Sequence, residues 1–132
     1  MSDKLDVVGI GNAMVDAIIP SNQSEIEKHE INRDSMNLID ENLKNNLHES
    51  YSIREMAGGG SLGNSMFGIT SFGGNGSFIG KIKNDEIGVY LQKDMIREGL
   101  KFPLGFTSPD ISTGCCTIFV EEDGTRTMCT FL

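Results

Sequence analysis

Asp16 stands in the apolar stretch AMVDAII, residues 13–19. A carboxylate in such surroundings is rarely buried without a partner. One chemically natural partner is a vicinal diol, whose two hydroxyl protons a single carboxylate can accept. Further on, AGGGSLGNS (residues 57–65) places Gly58, Gly59 and Gly60 before a segment with helical spacing. Gly60 and its neighbours offer backbone N–H groups at a helix N-terminus, with no Cβ to fend off a ligand. Asn64, one turn into that helix, can both donate and accept hydrogen bonds. The competing structural readings are an acid that marks a strand end and an asparagine on a solvated helix face.

Phosphate chemistry fits these residues poorly. A Walker-type loop needs Lys-Ser/Thr after its glycines, and none follows here. GIGNAM (residues 9–14) lacks a third small residue at Met14, and VDAIIP runs into a proline instead of opening a helix, so a dinucleotide fingerprint fails too. A neutral, hydroxyl-bearing ligand remains. His29 and His48 lie in polar helical contexts without spaced acids and read as surface residues. Cys115, Cys116 and Cys129 are odd in number and lack CxxC spacing, so they read as reduced, buried thiols, with Cys116 packing in the core.

The elements that must position these groups follow from periodicity. LDVVGIG (5–11) and GSFIGKI (76–82) read as buried strands. SNQSEIEKHE predicts a short helix, and Asp40 precedes a second in which Leu43 and Leu47 stand one turn apart. Leu62, Met66 and Ile69 share a helical face that ends at FGG. NDEIGVYLQKDMIREG predicts a helix capped at Asn84 and stopped at Gly99, with Ile87, Leu91 and Met95 on one side. TGCCTIFVEEDGTRTMCTF predicts a hairpin around a two-residue Asp123-Gly124 turn. Strands alternating with helices imply an α/β fold with a largely parallel sheet, and ligands in such sheets sit at the carboxyl ends of strands.

Composition bounds the partners. With 19 acidic against 11 basic residues the net charge is −8, and no Lys/Arg block occurs, which argues against nucleic acid. No apolar run has the length of a membrane span, and MSDKLD lacks a signal-peptide layout, so a cytoplasmic location is expected.

Taken together, DVVGIGNAMVDAI, GGSLGN, FGGNGSFIGKIKNDEIG and TGCCTIFVEEDGTRTM resemble, in order, the PfkB (ribokinase-like) family of carbohydrate and nucleoside kinases. Within it the chain is similar to adenosine kinase-like members, in which Gly-Asn is followed by Asp four positions after the Asn, as in Gly11, Asn12 and Asp16. Fructokinase-type members share the spaced Asp. The Gly-Gly-Ser-x-x-Asn order of Gly59, Gly60, Ser61 and Asn64 is the nucleoside kinase form. Leu62 and Met66 replace small residues of the general signature, and Lys83 replaces a glycine, which weakens transfer of substrate preference.

The resemblance implies a three-layer αβα fold with a small β-sheet lid, its segments near 18–39 and 112–130. It implies that Asp16, Gly60 and Asn64 grip sugar hydroxyls, that Asn12 and Ser61 lie toward a base, and that Arg126 approaches the transferring phosphoryl group. Arg126 also reads as a solvated hairpin residue beside Glu121 and Glu122. ATP and Mg2+ are the implied cofactors, a small nucleoside or sugar the partner, and a monomer or a lid-mediated homodimer the assembly. Family members carry a Gly-Ala-Gly-Asp motif whose Asp is the catalytic base. It is missing here, so residues 1–132 are expected to be an N-terminal, substrate-side fragment without the ATP-binding part. Three functions stay open: a nucleoside kinase, a sugar kinase acting on fructose, ribose or a related carbohydrate, and a non-catalytic sugar- or nucleoside-binding module.

Overall fold

The computed structural model describes residues 4–132. Along the chain the elements are β1 (Val7–Ile10), β2 (Met14–Pro20), α1 (Gln23–Glu27), β3 (Met36–Leu38), α2 (Glu41–Ser50) and β4 (Glu55–Gly59). They continue with α3 (Ser61–Ser71), β5 (Gly76–Ile79), β6 (Ile82–Lys83), α4 (Glu86–Arg97), β7 (Phe106–Ser108), β8 (Gly114–Val120) and β9 (Arg126–Phe131). The fold is mixed α/β, as expected, and is divided into two compact units.

The first unit comprises the chain up to Val15 together with Ala57–Gly114. Here β1 pairs in parallel with β5, Val7 opposite Gly76 and Ile10 opposite Ile79. Helix α3 packs close on β1 because Gly9 and Gly11 carry no side chain. A Cβ on Gly9 would come within 2.9 Å of Met66 Sδ, and one on Gly11 within 2.7 Å of Leu62 Cδ2. Met66, Phe78, Leu91, Met95, Leu100 and Phe102 are buried in this unit, the Phe78 and Phe102 rings 6.3 Å apart. Helix α4 ends in a Schellman arrangement: Gly99 has φ +84, its N–H donates to Ile96 O, and Leu100 N–H donates to Met95 O.

The second unit comprises Asp16–Met56 and Cys115–Leu132. A five-stranded sheet with strand order β3-β9-β8-β2-β4 accounts for most of it, and β2 and β4 each cross the unit boundary. Strand β3 runs parallel to β9, and β8 antiparallel to β9. Asn22 and Glu25 form a reciprocal capping box at α1, and the Asp40 side chain caps α2. Ile19, Ile26, Leu47, Phe119 and Cys129 make the core, flanked by Ile31, Ile39, Leu43, Tyr51 and Ile53.

Several local expectations need correction. The apolar run 76–82 does not form one strand: it breaks at Gly80-Lys81, and β5 and β6 join different two-stranded sheets. A Cβ at Gly80 would lie 2.5 Å from Phe78 and 2.8 Å from Ala13, so the break is a close approach only glycine allows. Val8 and Ile10 of β1 are exposed rather than buried. Asp85, not Asn84, caps α4, its side chain accepting from Gly88 N. The hairpin loop is longer than a two-residue turn. Gly124 N–H donates to Glu121 O, Gly124 takes φ +87, and Glu121 N–H donates to Thr125 O, the pattern of a type I turn closed by a left-handed glycine. Both histidines are half-buried rather than on the surface. His29 Nε2 lies 2.8 Å from Tyr51 Oη, and His48 Nε2 lies 2.9 Å from Thr117 Oγ1.

Candidate functional site

The glycine run serves several purposes. Gly58 is wedged between helices: a Cβ there would lie 2.6 Å from the Phe67 ring and 2.9 Å from Asp94 Oδ2. Gly59 is buried at the end of β4. Gly60 is the N-cap of α3, with φ 79 and ψ 153, a conformation that favours glycine. No side chain caps this helix, so its first-turn N–H groups lack the usual serine or aspartate acceptor.

The structure brings Asn12 and Gly60 together in the first unit. A Cβ at Gly60 would meet Met14 side-chain atoms at 3.0 Å and Asn12 O at 3.8 Å. Asn12, Ser61 and Asn64 are exposed, and Asn64 N–H donates to Gly60 O at 2.9 Å, closing the first turn of α3. The backbone of Asn12 thus lies beside the start of α3, whose first turn carries Ser61, Asn64 and the uncapped N–H groups.

Asp16 and Arg126 belong to the second unit. Asp16 is half-buried on β2, and burial raises its carboxyl above the ordinary value of 3.8. Arg126 is exposed at the start of β9, opposite Val120. Glu121 is taken instead by Arg33, whose Nε and Nη2 donate to its two carboxylate oxygens at 2.8 and 3.2 Å. The three cysteines are free and buried, as expected. Burial pushes the Cys115 thiol up to about 12 and that of Cys129 up to about 11. Cys116 is raised by burial as well, although the Thr130 hydroxyl donates to its Sγ at 3.4 Å.

Two buried groups escaped the sequence reading. Asp94 lies between Leu91 and Met95 on the buried side of α4, and its Oδ2 accepts from Gly58 N–H at 2.9 Å. An acid on an apolar helix face was the available signal. Lys44 is buried in α2, its Nζ 4.9 Å from the centre of the Phe131 ring. Its stem lies along the face that also carries Leu47, a position at which lysine resembles a hydrophobic residue. Among the described residues, no group of three His, Cys, Asp or Glu side chains is placed to hold a metal ion. No helix among them is long and apolar enough to cross a membrane.

No curated protein sequence matches the chain. Solved structures do. An adenosine kinase from Sinorhizobium meliloti is 36% identical with a TM-score of 0.84, over 98% of this chain and 39% of that one. A probable sugar kinase protein from Rhizobium etli is 32% identical with a TM-score of 0.84, over 97% and 39%. An adenosine kinase from Schistosoma mansoni in complex with 2-fluoroadenosine shares the fold at 22% identity and a TM-score of 0.78, over 95% and 38%. The chain therefore spans about two-fifths of the length of these relatives. The family profile described as pfkB family carbohydrate kinase matches residues 4–132, practically the whole sequence, and on that match, with the ribokinase-like α/β fold beneath it, the chain belongs to the pfkB family of carbohydrate kinases.

Proposed function

We propose that this chain is the acceptor-binding part of a phosphotransferase that moves the γ-phosphoryl group of ATP to a primary hydroxyl of a nucleoside, with adenosine the first candidate. The observation that carries the reading is Gly60, whose glycine-only conformation leaves the start of α3 uncapped beside Asn12, Ser61 and Asn64. The 36% identity to an adenosine kinase over 98% of the chain supports the nucleoside. The equal TM-score of a probable sugar kinase keeps a carbohydrate acceptor as the second reading.

In this mechanism Gly60 and Asn64 hold the acceptor through its hydroxyls, and Asp16 accepts from a diol. Clamping the ring lowers the entropic cost of aligning the reactive hydroxyl for in-line attack. Asn12 and Ser61 bond the base, and Arg126 contacts the transferring phosphoryl group, which its planar fork suits. Segments near 18–39 and 112–130 act as the lid that excludes water. The proton-accepting carboxylate and the nucleotide pocket belong to the part of such enzymes outside this span. ATP would bring Mg2+ with it. The described residues offer that ion no cluster of ligands, so no step here runs through it. A cytoplasmic site of action suits three free thiols.

The test is ADP release by the complete enzyme carrying this sequence, with ATP and a panel of adenosine, ribose and fructose. Adenosine-dependent turnover that falls on substitution of Asn12 or Ser61 supports the nucleoside reading. Turnover with a sugar alone replaces it with the second. Acceptor binding without any turnover would point to a non-catalytic module.

A further inference from the structure

A run of three glycines has little conformational preference of its own, so the end of β4 and the cap of α3 that they form gain from being held from outside. Gly58 is where that happens. On one side the Phe67 ring of α3 fills the space a side chain would take, and on the other Asp94 of α4 accepts the Gly58 N–H at 2.9 Å. Asp94 is buried between Leu91 and Met95, where a leucine would pack without any desolvation cost. Its second oxygen is bonded by the Arg97 guanidinium, so both carboxylate oxygens have partners, one of them the Gly58 N–H of β4. Gly58 precedes Gly60 by two residues and lies at the end of β4, so its orientation is carried through Gly59 into the cap of α3.

We propose that Asp94 is a positioning residue for the acceptor site: by holding Gly58 it sets the orientation in which Gly60 and the first turn of α3 meet the acceptor's hydroxyls. The inference rests on the reading of Gly60 and Asn64 as acceptor-binding. Asp94 acts through Gly58 and not on the substrate itself. Its loss therefore weakens acceptor binding in ground and transition states alike, leaving the chemical step and the nucleotide site untouched.

The test compares Asp94→Leu and Asp94→Asn with the parent in the complete enzyme, reading acceptor KM, ATP KM, kcat and backbone amide exchange at Gly58. Leucine keeps the branched shape, with bulkier methyls in place of the oxygens, and removes the acceptor, so acceptor KM is expected to rise about tenfold, with kcat and ATP KM within about twofold of the parent. Exchange at Gly58 should accelerate about tenfold in the same variant. Asparagine keeps an acceptor oxygen and should hold the rise in acceptor KM to about threefold. Parent-like exchange at Gly58 in Asp94→Leu overturns the clamp. Faster exchange with parent-like acceptor KM overturns its link to the site. If the leucine variant does not fold, the asparagine variant decides alone: a rise in acceptor KM with unchanged ATP KM supports the proposal, and a parent-like acceptor KM overturns it. A parent with no acceptor-dependent turnover overturns the underlying reading and this inference with it.

Discussion

Asp85 holds Thr113 by both of that residue's donors: Oδ2 accepts the Thr113 N–H at 2.9 Å and Oδ1 accepts its hydroxyl at 2.8 Å. Oδ1 also accepts Gly88 N–H at 2.7 Å, so one carboxylate both starts α4 and fixes the residue immediately before β8. The Thr113 hydroxyl in turn accepts from Lys83 N–H at 3.0 Å. Removing this carboxylate forfeits a helix cap and leaves buried donors unpaired. Asp85→Ala is therefore expected to lower stability by about 2–4 kcal/mol. A urea unfolding midpoint measures it, and a loss below about 0.5 kcal/mol would mean that the network contributes little.

Asp16 should give acceptor binding a pH dependence of definite sign. Its carboxyl is raised above 3.8 by burial, so the folded chain keeps a proton that the unfolded chain has released. The group's effect on stability thus becomes less favourable as pH rises from the unfolded value through the folded one. Acceptor affinity runs the other way, because only the ionised form accepts two hydroxyl protons. Affinity is expected to fall on acidification with a midpoint above 3.8, and Asp16→Asn should abolish that midpoint. Turnover in Asp16→Ala should drop by more than about tenfold with the fold intact, and a smaller loss would falsify the clamp.

Two glycines of neighbouring sequence should respond oppositely to alanine. Gly60 has φ +79, and an added Cβ would meet Met14 at 3.0 Å, so Gly60→Ala should cost about 1–2 kcal/mol and weaken acceptor binding. Gly68 lies inside α3, where an added Cβ meets nothing within 4 Å. Gly68→Ala should stabilise by about 0.5–1 kcal/mol through helix propensity alone. Thermal unfolding of both variants beside the parent decides, and a shared sign would contradict the assignment.

The cysteines should be silent toward thiol reagents at pH 8 while the chain is folded. Cys115 is held at about 12 and Cys129 at about 11, and Cys116 is shifted in the same direction, each chiefly by burial. Thiolate is the reactive form, so a disulfide reagent should titrate no thiol before denaturant is added and all three afterwards. Rapid labelling of any one in the native protein would mean that its strand opens readily.

Much of this was legible in the residues. Ile87, Leu91 and Met95 repeat at helical spacing between an acidic start and Gly99, and α4 formed there. Asp123-Gly124 marked the hairpin, although the loop closed with three residues because Asp123 does not take the positive φ that a two-residue turn requires. Strand β4 was not legible: EMAGG has neither alternation nor β-branched residues, and it is a strand because of its place at the edge of the five-stranded sheet. Local pattern did not show the two-unit division either, since pairings such as Met36 with Met128 join segments that no local pattern relates; only the family resemblance had named segments near 18–39 and 112–130 together. At the candidate site, Gly60 and Asn64 stood out by residue type at a helix start, and Ser61 only through the family resemblance. Asp94 did not, because a helix-face acid shows its purpose only once Gly58 is beside it.

The partner that strand β3 finds in β9 also sets an order of events during synthesis. Among the described residues β3 is an edge strand, and β9 is its sole neighbour in the sheet. On a ribosome adding about 5–20 residues per second, Met36–Leu38 must wait roughly 5 to 20 seconds for that neighbour to be made. Throughout that interval a strand bearing Met36 and Leu38 stands open to other chains, and among the described residues both side chains remain exposed after it has paired. Its brevity, three residues with the polar Asn37 at the centre, limits what another chain could pair with during that wait.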